Sequence, residues 1–396
     1  MDNRSDSIPR RLAIGLAVAG AAGLAAPTVI RAAAAANLVR VGLFSKNLPT
    51  IVADAKGFWA AEGLQVQLLQ VAGSLPQAQS LASGQYDLAF CSADNTANYR
   101  LNASTPLGQQ VDFQIIAGQD LGAGLGLFAR PGIASIEALA GARISVDAPD
   151  SGFAFVLYAI LGSHGLEQGK QYDVTTLGGT AQRFAALSQN QTDATLLSAG
   201  FDVRAAAAGF PELSSVNQLI RPYLGSVIEC SERWMTTNRA TVVRFLRGYY
   251  KALQWSLAPS NQDEATALPL AATPGTDAKL ATALYAAQVE RKDGLIEDMT
   301  VNVPGLLTCS RCGGRSAAST NPGQCRTSPS SHPGARAFGR TAISIGPSTL
   351  LMPLMLLPTD LECGLMLPAS PQRKFRRTIP PQCHGGERQH GPFIRQ

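Results

Sequence analysis

Histidine and cysteine are scarce in the central part of this chain. The 396 residues include 4 His and 7 Cys, but residues 37–308 hold only His164, Cys91 and Cys230. The same stretch contains no G-x-G-x-x-G, no P-loop and no cluster of metal-ligating side chains. An enzyme site needs a nucleophile beside a base, or clustered acids, near a cleft. We therefore expect no catalysis, no metal site and no cofactor.

The few side chains of this kind have simpler interpretations. Lone thiols such as Cys91 and Cys230 are more often buried apolar residues than nucleophiles. An exported protein could also join them in a disulfide, which stays an alternative. His164 stands where a helix is predicted to end, so we interpret it as a cap or a surface residue.

Positive charge is concentrated at the two ends of the chain. The formal net charge is +5, yet residues 37–308 carry 18 Lys/Arg against 23 Asp/Glu. Residues 309–396 carry 11 Lys/Arg against 3 Asp/Glu. The central part is therefore mildly acidic and offers no electrostatic footprint for a nucleic acid. No nucleic-acid partner is expected.

The first 36 residues have the order of an export signal. Arg10-Arg11 precede a weakly apolar stretch, Leu12 to Ile30, and then small residues up to Ala36. This order predicts cleavage near Ala36 and a periplasmic protein. The adjacent arginines favour twin-arginine export, with an ordinary Sec signal as the alternative. The stretch is too short and too rich in Gly and Ala for a comfortable membrane span.

The composition changes abruptly at about Thr308. The next 88 residues contain no Val, Tyr or Trp, but they hold 11 of the 24 Pro. No helical or strand period is visible there, and we interpret residues 308–396 as a disordered, out-of-frame tail. Four residues of the tail have spacings that suit zinc: Cys309, Cys312, Cys325 and His332. The flanking sequence lacks the elements that hold such a site, so the zinc reading is the weaker alternative.

Two segments 106 residues apart repeat one pattern. Each begins with a glycine and a hydroxyl residue, Gly73-Ser74 and Gly179-Thr180, and runs through a helix into a strand that ends in Ser-Ala. Gly84 and Asn190 stand at the same place, where a helix would end in a left-handed residue. We interpret this as the duplication of one α/β half. Two such halves predict two lobes that grip one ligand between them.

Strand and helix patterns alternate along the rest of residues 37–307. The predicted strands are 38–43, 64–71, 113–118, 125–129 and 143–146, together with the strands that Asp87 and Asp193 open. The predicted helices include 51–61, the one that ends at Leu161, and 240–257. This alternation predicts an α/β protein with parallel sheets and helices on both faces.

Several motifs occur together in a fixed order. They are AKGFWAAEGLQVQLLQ (55–70), LASGQYDLAF (81–90), IASIEALAGARISV (133–146), SGF (151–153), AALSQNQTDATLLS (185–198) and SERWMTTNRATVVRFLRGYYKALQW (231–255). In this order they resemble the nitrate/sulfonate/taurine and thiamine-precursor family of periplasmic substrate-binding proteins of ABC importers. The resemblance covers about residues 38 to 307.

The resemblance implies a type 2 periplasmic binding protein, with two lobes, a hinge and an interlobe cleft. We expect lobe one to comprise residues 37–128 and 222–307, and lobe two residues 129–221, with hinge segments near Ala129 and Arg221. The implied partners are a small-molecule ligand and the membrane permease of an ABC importer, and we expect a monomer. The ligand could be a taurine-like sulfonate, an aromatic carboxylate, a pyrimidine or a flavin-type molecule.

Candidate ligand contacts lie in loops at the carboxyl ends of strands. In Ser151-Gly152-Phe153, the free amides of a helix start favour an anion, and Phe153 could add an apolar wall. The alternative is that Ser151 merely caps the helix. The other candidates are Ser45, Asn47, Ser92, Asp94, Gln119, Thr180, Ser198 and Asp202. Each could instead be a turn or capping residue.

Two other functions are alternatives. Some relatives of this fold make a pyrimidine, which would need histidine and metal ligands near the cleft. The single His164 argues against that activity. A sensor that binds a ligand without transporting it is the second alternative. Genes for an ATPase and a permease beside the gene of this protein would favour import.

Overall fold

The computed structural model describes residues 37–102, 105–122, 124–272, 275–289, 292–313, 339–343 and 352–356. The predicted export signal therefore lies outside the described residues, as does most of the predicted tail. All described residues belong to one compact unit. None of the described helices has both the length and the apolar character needed to span a bilayer.

Twelve strands are present among the described residues. In chain order they are β1 Leu38–Leu43, β2 Gln65–Gln70, β3 Leu88–Ser92, β4 Phe113–Gly118, β5 Gly126–Ala129, β6 Arg143–Val146, β7 Asp173–Thr176, β8 Ala194–Leu197, β9 Glu212–Ser215, β10 Ser226–Ser231, β11 Gly339–Ile343 and β12 Met352–Leu356.

The α-helices lie mostly between the strands. They are α1 Leu48–Ala55, α2 Phe58–Ala61, α3 Ser74–Ala82, α4 Ala93–Leu101, α5 Gly152–Ser163, α6 Thr180–Ser188, α7 Phe201–Ala207, α8 Val216–Leu219, α9 Glu232–Thr237, α10 Arg239–Leu257, α11 Gln262–Ala272, α12 Ala278–Val289 and α13 Val303–Gly313. Short 3-10 turns occupy Glu137–Leu139 and Pro259–Asn261.

Two five-stranded sheets share one strand arrangement. The order is β2-β1-β3-β10-β4 in sheet one and β7-β6-β8-β5-β9 in sheet two. The first three strands of each sheet pair in parallel, whereas β10 and β5 pair antiparallel with their neighbours. The sheets are therefore mixed, not parallel as the alternation predicted. The strands β5 and β10 come directly from the other sheet, without the crossover helix that parallel neighbours require.

The chain passes between the sheets twice, once between β4 and β5 and once between β9 and β10. Of the two predicted hinge positions, Ala129 is the last residue of β5, and Arg221 lies in the second of these crossings. The lobe boundaries given above stay a prediction.

Left-handed residues end the two repeated helices at the predicted places. Gly84 has φ 75° and Asn190 has φ 57°, which confirms both expectations. A third residue of this kind changes another prediction. Gly57 has φ 68° and divides the predicted helix 51–61 into α1 and α2, because an α-helix cannot continue through a left-handed residue.

Each sheet packs against its own apolar helix. The long helix α10 covers sheet one, and the ring of its Phe245 stacks on Trp59 with 5.2 Å between the ring centres. The helix α5 covers sheet two with fully buried Leu157 and Leu161. A fully buried leucine contributes about 2 kcal/mol of transfer free energy. The cluster around α5 also includes Cys91, Ile115 and Val227 from sheet one, so apolar packing joins the two halves.

The helix α13 crosses the predicted boundary at Thr308. Leu306 and Cys309 are one turn apart on α13, and both are buried in a core cluster that contains residues of both sheets. The Cys309 thiol donates a hydrogen bond to the carbonyl of Leu224 at 3.4 Å. Burial of this apolar pair explains why the helix continues beyond the change in composition. The strands β11 and β12, which pair antiparallel, also fall within the predicted tail. The frameshift interpretation stays a prediction.

Candidate functional site

A cavity of about 470 Å³ opens between the two sheets. Its wall includes residues that end or directly follow β1, β3, β6 and β8: Phe44, Ser92, Asp147 and Ser198. All four positions are carboxyl ends of strands, where open α/β sheets bind ligands. The volume falls in the range of small-molecule sites. The cavity is therefore the candidate site.

Eight of the eleven residues predicted from the sequence line this cavity. They are Ser45, Asn47, Ser92, Gln119, Phe153, Thr180, Ser198 and Asp202. They come from both sheets and from the first crossing, so the fold brings them together around one space. Their role as ligand contacts stays a prediction.

The other three, Asp94, Ser151 and Gly152, are not part of the cavity wall. Ser151 is the N-cap of α5, and its Oγ accepts a hydrogen bond from the amide of Ala154 at 3.2 Å. Only 1% of Ser151 is exposed, so in this structure it acts as a helix cap. Gly152, the next residue, packs closely against the N-terminus of α4.

Asp94 is completely buried and lies outside the cavity wall. The Tyr223 hydroxyl donates a hydrogen bond to its Oδ2. Its Oδ1 has no hydrogen-bond partner among the described residues. Burial raises the pKa of Asp94 to about 6, although the Tyr223 hydrogen bond opposes the shift. Asp94 thus faces Tyr223 in the crossing segment and is not part of the cavity wall.

Asn47 and Gln119 form one polar group at the wall contributed by sheet one. Asn47 caps α1, since its Oδ1 accepts from the amide of Thr50 at 3.0 Å. Its Nδ2 donates to Gln119 Oε1 at 3.1 Å and to the Tyr249 hydroxyl at 2.8 Å. These bonds fix both amide side chains at the edge of the cavity.

Sequence reasoning missed Ser74 and Asn95 as members of the wall. Ser74 is the first residue of α3, and Asn95 lies in the first turn of α4. Asn95 Nδ2 donates to Ser74 Oγ at 3.0 Å. Its Oδ1 accepts from the amide of Gly152 at 2.7 Å, so Asn95 joins sheet one to sheet two. The Gly73-Ser74 repeat was a signal for Ser74, but no pattern marked Asn95.

Asp147 was also missed, although it directly follows β6. Its Oδ1 accepts from Ser151 Oγ at 2.6 Å. Its Oδ2 accepts from the Ser74 hydroxyl and from the Ser74 amide at 3.3 Å. Only 8% of Asp147 is exposed. The rule that ligands bind at the carboxyl ends of strands would have found it.

Arg183 contributes a buried positive charge. Its guanidinium donates to Thr195 Oγ1 at 2.9 Å, to Thr180 Oγ1 at 3.2 Å and to two backbone carbonyls. In the described part of the chain, no ion pair includes Arg183. Burial lowers the pKa of this guanidinium, and the charge of Asp147 opposes the shift. Its position within α6 gave no signal in the sequence.

Asp202 and Ser45 complete the wall near the start of α7. Asp202 Oδ1 accepts from the amide of Gly200 at 3.0 Å. Ser45 Oγ donates to the carbonyl of Ala199 at 3.4 Å, a contact between the two sheets. Phe153, from α5, adds an apolar surface.

The side chains that would suggest catalysis lie elsewhere or are buried. His164 ends α5 and pairs through Nδ1 with Glu137 Oε1 at 2.7 Å, outside the cavity wall. Cys91, Cys230 and Cys309 are free thiols. Among the described residues, no group of three or more His, Cys, Asp or Glu side chains could hold a metal ion.

Three solved structures show the same fold. A protein from Bordetella bronchiseptica RB50 matches with a TM-score of 0.60 and 19% identity, over 74% of this chain and 95% of that one. The alkanesulfonate-binding protein SsuA from Xanthomonas axonopodis pv. citri, bound to MOPS, matches with 0.57 and 14%, over 69% and 90%. The periplasmic nitrate-binding protein NrtA from Synechocystis PCC 6803 matches with 0.55 and 16%, over 72% and 84%.

These likenesses establish the fold of periplasmic binding proteins, in line with the type 2 fold inferred from the sequence. Comparison with curated proteins gives no match. The sequence profile described as NMT1/THI5 like matches residues 45–265, which is more than half of the chain. The chain therefore belongs to the NMT1/THI5-like family.

Proposed function

We propose that this chain is the periplasmic solute-binding component of an ABC importer and that it closes two lobes on a small organic ligand. One observation carries the proposal: polar side chains from both sheets converge on a single cavity of about 470 Å³. A molecule in that space touches both halves and so stabilises their closed arrangement. The solved sulfonate- and nitrate-binding proteins have the same fold, which supports a permease as the partner.

The charges of the wall favour a ligand with two kinds of polar group. Positive charge comes from Lys46, Arg183 and Arg204, whereas negative charge comes from Asp120, Asp147 and Asp202. An acid or strong acceptor on the ligand suits the guanidinium groups. An amine or hydroxyl suits the carboxylates. Taurine-like sulfonates and aromatic or pyrimidine ligands that carry an acid and a donor both meet this requirement.

The export of the protein is part of the proposal. The arginine pair, the apolar stretch and the small residues up to Ala36 support a cleaved signal and a periplasmic location. The arginine pair also supports twin-arginine export.

A ligand panel tests the function directly. The full chain is screened by thermal shift against sulfonates, aromatic carboxylates, pyrimidines and flavin-type molecules. A true ligand should raise Tm and reduce the radius of gyration in X-ray scattering. Ser198→Phe, which fills the cavity, should abolish both effects, whereas Ser260→Phe on an exposed turn should preserve them. An unchanged radius of gyration at saturating ligand would contradict lobe closure.

A further inference from the structure

The repeated halves place two helix N-termini at the same cavity. The helix α3 begins with Ser74 and α6 with Thr180, each after a glycine N-cap, and both residues line the wall. The free amides and the dipole of such an end attract an anion. The two halves nevertheless treat this end differently.

At the N-terminus of α3, the position of an anion is occupied by a carboxylate of the protein itself. The Asp147 carboxylate comes from the loop after β6 in sheet two, and it accepts hydrogen bonds from both the amide and the hydroxyl of Ser74 in sheet one. Its second oxygen is held by Ser151 at 2.6 Å. Both oxygens are therefore engaged, and the carboxylate is fixed in the position that an acid group of a ligand would take.

Neighbouring contacts hold the same junction together. Asn95 donates to Ser74 Oγ and accepts from the amide of Gly152, so it bridges the two sheets beside Asp147. Gly152 has no room for a side chain. A Cβ there would overlap the Cβ of Asp94 and would lie 2.9 Å from the backbone nitrogen of Asn95. The close approach of α5 to α4 thus depends on glycine.

We propose that Asp147 is a specificity-determining residue that acts as a resident anion. It occupies the N-terminus of α3 and excludes the acid group of a ligand from that position. Its hydrogen bonds to Ser74 also hold the two halves together before any ligand binds, and we call this contact the clasp. At α6, the Thr180 hydroxyl accepts from Arg183. An acid group on the ligand is thereby directed to the Arg183 side. The exclusion and the direction of a ligand's acid group rest on the proposed solute-binding function, whereas the filling of the α3 end and the clasp do not.

The test is a gain of anion binding. Sodium sulfate is titrated into the full chain, with sodium chloride at matched ionic strength as the reference. Asp147→Ala should bind sulfate about tenfold more tightly than the wild type, because it frees the amides and hydroxyl at α3. Asp150→Ala removes a carboxylate from the same loop, but Ser74 donates to Asp147 and Asn98 donates to the Asp150 backbone carbonyl, so this variant should behave as the wild type.

A double variant locates the site. Ser74→Pro removes the amide and the hydroxyl at a helix position that accepts proline, after an extended Gly73. Asp147→Ala combined with Ser74→Pro should lose the gain. Equal sulfate binding by the wild type and Asp147→Ala would overturn the proposal, as would equal gains in Asp147→Ala and Asp150→Ala. A gain that survives in the double variant would overturn it too.

The clasp has a separate readout that needs no ligand. Without ligand, Asp147→Ala should have a larger radius of gyration than the wild type. Should it fail to fold, Asp147→Asn keeps the size of the side chain but not its charge. That variant should then show the expansion, and a radius equal to that of the wild type would overturn the clasp. A sulfate gain without any hit in the ligand panel would refute the proposed function alone. A panel hit without the gain would refute this inference alone.

Discussion

Arg40 holds Asp87 with three hydrogen bonds, from its amide at 2.8 Å, its Nε at 3.0 Å and its Nη2 at 2.8 Å. Arg143 holds Asp193 with the same three, at 2.9, 3.1 and 2.8 Å. In each half the arginine lies on the middle one of the three parallel strands, β1 or β6. The aspartate directly precedes the parallel strand beside it, β3 or β8. This repetition gives the duplication seen in the sequence a physical counterpart.

The second of these pairs should make stability depend on acid pH. The Arg143 hydrogen bonds hold the pKa of Asp193 well below its ordinary value. Its contribution is therefore complete above the unfolded-state pKa of about 4 and is lost as pH falls further. Asp193→Asn should lower the free energy of unfolding by about 1–2 kcal/mol at pH 7, and by less below pH 4. Urea denaturation measures this, with exposed Glu297→Gln as control. A pH-independent difference would contradict it.

The sequence predicted most of the repeated framework because that framework is local. The strands 38–43, 113–118 and 143–146 appear in the structure with the predicted bounds. The left-handed ends at Gly84 and Asn190 follow from backbone sterics alone. The antiparallel strands β5 and β10 could not be foreseen, since their direction depends on which sheet the chain has left.

The site was only partly predictable, for a related reason. Ser92 and Ser198 could be predicted because each ends or follows a strand, and a strand end can be located without knowing how the two halves pack. Asn95 and Arg183 lie within helices, and they reach the cavity only because the two halves meet there. The helix α13 escaped notice because composition pointed to a tail, whereas burial of Leu306 and Cys309 decides the local structure.

Ser151 should matter for stability before it matters for affinity. It caps α5 and is buried, so Ser151→Ala should lower the free energy of unfolding by about 1 kcal/mol. The same change removes one of the bonds that orient Asp147. Thermal denaturation at pH 7 measures the cost, and Ser151→Thr, which keeps the hydroxyl that caps the helix and donates to Asp147, should recover part of it. A neutral Ser151→Ala would contradict the capping role.

Gly152 should control how closely the halves approach. Gly152→Ala adds a Cβ that collides with Asp94 and the backbone of α4, so the ligand-free protein should expand. Gly209 offers a matched control within the same half, because a Cβ there meets nothing within 4 Å, although its φ of 84° adds local strain. X-ray scattering compares the two variants. Equal radii of gyration would show that α5 and α4 do not limit closure.

Glu229 should give stability the opposite pH dependence from Asp193. It is buried on β10, where Thr96 Oγ1 donates to it at 2.7 Å, and burial raises its pKa to about 7. The folded state keeps the proton that the unfolded state releases near pH 4, so stability falls as pH rises from about 4 to 7 and stays lowered above.

Removal of that charge is therefore expected to stabilise the protein. Glu229→Gln should raise the free energy of unfolding by about 2–3 kcal/mol at pH 8, and by little at pH 4. Asp94, whose pKa is about 6, should leave a smaller slope of the same sign in the variant. Urea titrations at several pH values measure both. If the increase in the free energy of unfolding did not change with pH, the effect would come from packing and not from the charge.

The helix α13 should be required for the stability of the fold, whereas the chain beyond it should not. A chain that stops after Asn302 loses buried Leu306 and Cys309, worth about 2–5 kcal/mol together. A chain that stops after Gly313 keeps them and should match the Tm of the full chain. Limited proteolysis of the full chain should likewise leave a fragment that ends beyond α13. A full chain clearly more stable than the one ending at Gly313 would contradict the disordered-tail prediction.

The position of β10 has a consequence for the order of assembly. Sheet two is made from one continuous stretch of chain, Gly126 to Ser215, and can form as soon as that stretch is available. Sheet one has β10 between β3 and β4, so these two strands stay unpaired on their facing edges until the chain has completed sheet two and returned. Contacts between such distant segments form late, because the intervening loop must close first. The return strand thus completes sheet one and the binding cleft in one event, and a chain that stops before β10 has sheet two alone.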